Sequence, residues 1–194
     1  MSRTPEFDQQ SVLHNAMMLF WKKGYGMTSV KDLTEVTSLQ PGSLYGAFKN
    51  KRNLFLNSLD LYFNNLNADV SCILESDETP LKRIRLFFNH LLNQVELDTD
   101  KKSCLLLNTL LELPTDDHEI SQRVSSMFNT IEKKFEKVLL EAQREGELAA
   151  GIRPESMAKV LMSGIFGLQA YNRLQNNNDS LSQIVNNLLS ILEK

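Results

Sequence analysis

The strongest restriction on the fold lies in residues 24–55, GYGMTSVKDLTEVTSLQPGSLYGAFKNKRNLF, where two short amphipathic segments stand three residues apart. The first, SVKDLTEVT, opens with Ser29-x-x-Asp32, a capping-box pattern that starts a helix by satisfying its free N–H groups. Val30, Leu33 and Val36 then face inward at helical spacing. The second covers roughly residues 40–48 and begins with Pro41, tolerated because a first-turn N–H has no helical acceptor to lose. Leu44 and Phe48, four apart, face inward together. Thr37, Ser38 and Leu39 make a connection of helix-turn-helix length, with Leu39 as its apolar plug.

That arrangement leaves Gln40, Ser43, Tyr45, Gly46 and Lys49 on the outer side, a set suited to a DNA major groove. Gln40 can read a base edge with two hydrogen bonds, and Ser43 can donate or accept. Tyr45 offers a hydroxyl to phosphate, and Lys49 and Lys51 offer charge. Gly42 and Gly46 remove side chains that would hold the backbone off the duplex. Helix starts at Ser29 and Asn50 can point N–H groups at phosphates. The bland alternative is a tight helix pair that is only a packing unit, since short matches of this kind recur in unrelated proteins.

The rest of the chain reads as helix. Glycine (8) and proline (5) are scarce among 194 residues, which disfavours strands and hairpins. An amphipathic helix spans residues 6–23, with Val12, Leu13, Ala16, Met17, Leu19 and Phe20 inward and Gly24 past its end. Beyond the helix pair, helices are expected from Asn50 to about 75, Pro80 to Asp98, Cys104 to Leu113 before Pro114, Asp116 to Glu145, Pro154 to Gln175, and Leu181 to Leu192. The expected architecture is therefore all-α, with nine helices and a helix-turn-helix domain in residues 1–50 preceding a helical domain in residues 51–194.

Charge follows the same division. Residues 1–52 carry 7 Lys/Arg against 4 Asp/Glu, a net +3, and the remainder 14 against 20, a net −6. A basic end on an acidic body points to a polyanion partner for that end.

With these residues in view, 24–55 resembles the DNA-binding segment of the TetR/AcrR family of transcriptional regulators. Gly24-Tyr25, Thr28, Leu33, Gly42, Leu44-Tyr45, Phe48, Lys51 and Leu54 carry the match. The resemblance implies a nine-helix fold and a homodimer that binds a near-palindromic operator in double-stranded DNA. It also implies repression of a nearby gene until a small molecule binds in the C-terminal domain. By position, the recognition helix is about Gln40–Phe48, with Tyr45 and Lys51 at phosphates and Thr28 at the contact made by the start of the second helix. Four residues depart from the family pattern. Ser38 stands where the turn usually has Gly, so a left-handed backbone there carries strain. Gln40 is a weaker N-cap than the usual Ser. Ala47 lacks the His or Tyr of many members, and Arg52 replaces a common acidic residue.

Within the C-terminal helices, Phe88, Phe128 and Phe166, with His90, Cys104, Asn108 and Gln169, form the search area for a ligand, although any one of them can equally be plain core. Cys104 follows Lys101 and Lys102 near a helix start, a setting that lowers a thiol pKa. SCLLLN (103–108) also resembles a stretch in one branch of the family whose members sense electrophiles or oxidants, so Cys104 is a candidate redox sensor beside its reading as a small buried residue. Leu161, Ile165 and Leu168 of the eighth helix and Ile184, Leu188 and Ile191 of the ninth read as a dimer interface, helped by the small residues Ser163, Gly164 and Gly167.

Other classes find less support. His14, His90 and His118 are far apart in sequence, and no phosphate loop, nucleophile elbow or dinucleotide fingerprint occurs. No cofactor or metal is expected. A helical enzyme assembled from scattered residues and a protein-interaction scaffold remain the alternatives. The N-terminus lacks the apolar core of a signal peptide, and no apolar run nears the roughly 20 residues that cross a bilayer. Two cysteines suit a reducing cytoplasm.

Overall fold

The computed structural model describes residues 7–98, 102–112, 117–174 and 178–193. Among them are nine α-helices and no strand: α1 Gln9–Lys23, α2 Val30–Thr37, α3 Pro41–Phe48, α4 Lys51–Leu74, α5 Pro80–Leu97, α6 Leu105–Glu112, α7 His118–Arg144, α8 Pro154–Leu174 and α9 Asn178–Ser190. The helix order matches the sequence reading. Glu6, Lys101, Leu113, Pro114, Asp116 and Gln175, which entered that reading as helix bounds or as a neighbour of Cys104, lie outside the described residues. No helix among the described residues is long and apolar enough to cross a membrane.

The chain divides into two compact units. One contains α1 to α3, α4 as far as Asn65, α6, and the start of α7 as far as Val124. This unit does not stop at residue 50, because α4, α6 and α7 contribute to its core. Val12, Ala16, Met17 and Phe20 of α1 are buried, as are Leu33, Leu44, Phe48, Leu54 and Phe55. From α6 and α7 the buried residues are Leu105, Leu106, Thr109, Ile120 and Val124. Phe20 and Phe55 meet edge to face with ring centroids 5.0 Å apart.

In α2 the inward line differs from the expected one. Leu33 and Thr37, four apart, are buried, whereas Val30 and Val36 are each 38% exposed. Thr37 replaces Val36 because it continues the line one helical turn beyond Leu33. Its hydroxyl donates to the Leu33 carbonyl at 2.6 Å, which lets a polar residue sit inside. Val30 is the first residue of the helix and lies at the rim.

The second unit holds the rest of α4, α5, α7 from Ser125, α8 and α9. Phe87, Phe88 and Phe135 form its aromatic centre. Arg83 donates to the Leu74 carbonyl at 2.9 Å and to Glu141 at 2.6 Å, tying the end of α4 to α7. Thr79 makes no side-chain cap on α5, and Glu147 accepts the Leu81 N–H at 2.9 Å instead.

Candidate nucleic-acid interface

The helix pair is set by local chemistry. Ser29 Oγ accepts the Asp32 N–H at 3.1 Å, and Asp32 Oδ2 accepts the Ser29 N–H at 2.7 Å, completing the capping box. Asp32 Oδ2 also receives the Ser29 hydroxyl and, at 2.5 Å, the Lys23 ammonium from the end of α1. Lys23 and then Ser29 hold this carboxyl far below its ordinary range. The Asn15 side chain donates to the Val36 carbonyl at 3.2 Å, so α1 grips α2 at both ends. Ser38 takes the left-handed conformation, φ 56°, that the turn requires.

On α3, Leu44 and Phe48 are buried and hold the opposite face outward. Gln40 is exposed and makes no side-chain cap, so its carboxamide is not committed to the helix. Gly42 and Gly46 are exposed, and a Cβ at either would meet nothing within 4 Å. Ser43 and Tyr45 are half-buried and Lys49 is exposed. Burial, with Tyr25 adding to it, raises the Tyr45 hydroxyl pKa. Lys49 has φ 67° and ψ −55°, and the Asn50 N–H donates to the Phe48 carbonyl across it at 2.8 Å, a tight γ-turn. Asn50 then caps α4 through the Asn53 N–H at 2.8 Å.

Thr28 differs from its expected place at the DNA contact. It is 1% exposed and its hydroxyl donates to the Gly24 carbonyl at 2.5 Å, so it builds the turn between α1 and α2. The Ser29 hydroxyl is likewise spent on its cap, which leaves the helix start's own N–H groups as the polar feature there. Lys51 is half-buried with its ammonium 4.4 Å from the centroid of the Tyr25 ring. Burial lowers its pKa, while Glu112 and Asp32 act the other way.

Two contacts were missed by sequence reasoning. Glu112, the last residue of α6, accepts the Tyr25 N–H at 3.1 Å and the Gly26 N–H at 2.6 Å. Arg52 donates to Asp117 at 2.6 and 2.9 Å and to Glu119 at 2.9 Å. The only sequence signal for the first is the second glycine of Gly24-Tyr25-Gly26, which no helix cap requires.

The ligand search area is only partly assembled. Phe128 and Phe166 meet edge to face at 4.8 Å. Gln169, one turn further along α8, accepts the Ser103 hydroxyl at 2.9 Å next to Cys104. Phe88 is fully buried among Phe87 and Phe135, a core position. His90 is half-buried on α5, and Asn108 belongs to the other unit. Cys104 is buried and Cys72 exposed, and no disulfide joins them.

Of the expected dimer residues, Leu161 and Leu168 are inside the chain's own core. Both lie on the α8 face that its own unit covers. Leu188 is half-buried and packs against Gly164, where a Cβ would overlap its Cδ2, so Gly164 admits α9 of the same chain. Ile165 is half-buried. The outward line of α8 is Val160, Ser163, Gly167, Ala170 and Leu174, and Ile184 of α9 and Ile191 just past the end of α9 are also exposed.

Comparisons with known proteins agree with this fold. Residues 12–57 match the family profile described as bacterial regulatory proteins, tetR family, and residues 80–188 match that of the tetracyclin repressor-like C-terminal domain. The HTH-type transcriptional regulator YezE of Bacillus subtilis is 29% identical over 194 residues, spanning 100% of both chains. The HTH-type transcriptional repressor ComR of Escherichia coli is 27% identical, over 97% of this chain and 90% of that one. A cysteine mutant of the TetR family regulator CifR, solved with a 26 bp operator duplex, shares the fold with a TM-score of 0.87 at 22% identity, over 98% of this chain and 100% of that one.

Proposed function

Because the chain belongs to the TetR family of bacterial transcriptional regulators, we propose that it is a repressor. It binds a near-palindromic operator in double-stranded DNA as a homodimer and leaves it when a small molecule binds. The observation that carries this reading is the outer face of α3, where Ser43 and Tyr45 flank two exposed glycines with no atom of the described residues within 4 Å of their Cβ positions, and exposed Gln40 and Lys49 stand at the two helix ends. Gln40 and Ser43 read base edges. Tyr45, Lys49 and Lys51 take phosphates, joined by the N–H groups at the start of α2. The family consists of regulators, which sets aside the enzyme and scaffold alternatives.

The dimer forms through α8 and α9. Val160, Ser163, Gly167, Ala170 and Leu174 recur three and four apart on an exposed face, and Ile184 of α9 and Ile191 just beyond it add exposed apolar side chains. Small residues allow close helix approach, and exposed Leu and Ile supply apolar area. Two-fold symmetry then sets the paired α3 helices about 34–36 Å apart, or a multiple of that, to meet successive major grooves.

The ligand site lies within residues 51–194, in the part that forms the second compact unit, and Phe128, Phe166 and Gln169 of that unit are the favoured ligand-facing residues. The burial of Cys104 favours a small molecule over an oxidant as the signal, since sensor thiols are accessible ones. Cys104→Ser should therefore leave any oxidant response unchanged. A protein with this task works in the cytoplasm, beside the DNA.

The test is a salt titration of binding to duplex DNA from upstream of its own gene. Each phosphate contact contributes about −0.9 to the slope of log affinity against log salt. No binding at low salt to that or any neighbouring promoter would defeat the proposal.

A further inference from the structure

We propose that Glu112 is a positioning residue for DNA binding, setting the phosphate-contacting Lys51 through Tyr25. The inference rests on the reading of Lys51 given above. Its basis is the turn between α1 and α2, where the two carboxylate oxygens of Glu112 accept the successive N–H groups of Tyr25 and Gly26. Hydrogen bonds to an ionised acceptor are the strong ones, and a two-pronged pair fixes orientation as well as distance.

The flanking glycines make room for this carboxylate. A Cβ at Gly24 would stand 2.7 Å from Glu112 Oε2, and one at Gly26 would stand 3.2 Å from Oε1. Of the three residues, only Tyr25 carries a side chain. Its ring packs on Phe55 at 4.7 Å and Phe20 at 6.1 Å, and the Lys51 ammonium lies over it at 4.4 Å. Glu112 thus holds the backbone of the residue whose ring seats the lysine. Free rotation of Lys51 is reduced before DNA arrives, which lowers the ordering cost of the contact.

Charge alone predicts the opposite effect of removing Glu112. DNA is a polyanion, so deleting a carboxylate from the unit that meets it should strengthen binding. Positioning predicts that Glu112→Gln weakens it several-fold and makes the salt slope shallower by about one, as Lys51→Ala does. The experiment measures the binding of full-length wild type, Glu112→Gln, Glu112→Asp, Lys51→Ala and Glu112→Gln/Lys51→Ala. The probe is a duplex selected by the wild type from a random-sequence pool, followed by anisotropy across a salt series. Far-UV circular dichroism and Trp21 fluorescence establish that each variant is folded at the assay temperature.

The expected result is that the double variant binds no worse than the weaker single one, with Glu112→Asp between wild type and Glu112→Gln. Should Glu112→Gln not fold, the same cycle run with Glu112→Asp decides the matter. Glu112→Gln binding as tightly as wild type or tighter, or losses that add in the double variant, would overturn the proposal. A wild type that selects no duplex would instead overturn the DNA-binding reading itself.

Discussion

Arg52 and Asp117 meet in a two-pronged ion pair, with Nη1 2.6 Å from Oδ2 and Nη2 2.9 Å from Oδ1, although 65 positions separate them in the chain. The pair fastens the start of α4 to the start of α7 within one compact unit, and Glu119 adds a further acceptor to Nη2 at 2.9 Å.

Breaking that pair should lower stability in a pH-dependent way. Arg52 holds the Asp117 carboxyl at about 2, against an ordinary 3.8. A carboxyl with a lowered folded pKa stabilises fully above its unfolded value and loses the effect as pH falls through the folded one. Asp117→Asn should therefore cost about 1 kcal/mol at neutral pH, in keeping with a partly exposed bidentate pair. The difference from wild type should shrink as the pH drops from about 4 to about 2, the window set by the two pKa values. Urea denaturation at several pH values measures it, and a difference that persists at low pH would contradict it.

Contacts on α3 should separate into two kinds. Tyr45→Phe and Lys49→Ala should weaken binding to all duplexes alike, with Lys49→Ala also making the salt slope shallower by about one. Gln40→Ala and Ser43→Ala should relax preference at particular bases, each by about 1–3 kcal/mol of discrimination. Binding to a panel of single-base operator variants tells the two apart.

Gly46→Ala should stabilise the protein yet weaken its DNA binding. Nothing lies within 4 Å of a Cβ placed there, and alanine gains up to about 1 kcal/mol over glycine inside a helix. The same methyl group would hold the helix off the groove. Thermal melts and anisotropy should move in opposite directions, and unchanged affinity would show that α3 does not approach DNA by this face.

Val160 and Leu161 are adjacent but should behave differently. Leu161 is fully buried, so Leu161→Ala should cost about 2–5 kcal/mol of stability. Val160 is 41% exposed on the proposed dimer face, so Val160→Glu should leave each chain folded and shift it toward monomer. Sedimentation equilibrium with circular dichroism checks both. A Val160→Glu variant that stays dimeric would move the interface elsewhere.

Gly24→Ala should lose both stability and DNA affinity. The residue has φ 83° and ψ 160°, a region kept almost wholly to glycine and costing an L side chain about 1–3 kcal/mol, and its Cβ would displace the Glu112 carboxylate. Denaturation and binding measurements should both register the change.

Much of this protein was legible in the order of its residues, because the signals involved act within a turn or two of helix. The Ser29–Asp32 capping box and the inward pair Leu44 and Phe48 depend on neighbours three or four positions away, whereas the left-handed Ser38 and the weak cap at Gln40 followed from the family pattern. Helical order followed from the same periodicity. The inward set of α2 was less clear, since Thr37 and Val36 differ only in how a short stripe meets its neighbours. Tertiary structure alone brought Glu112 to the α1–α2 turn and Asp117 to Arg52, since contacts between distant residues leave no periodic trace. It also put Leu161 and Leu168 in the core, set half-buried Leu188 against Gly164, and left Val160 and Ile191 outside. An apolar stripe has the same spacing whether its own chain or a second copy covers it, and only the packed protomer reveals which positions are already filled.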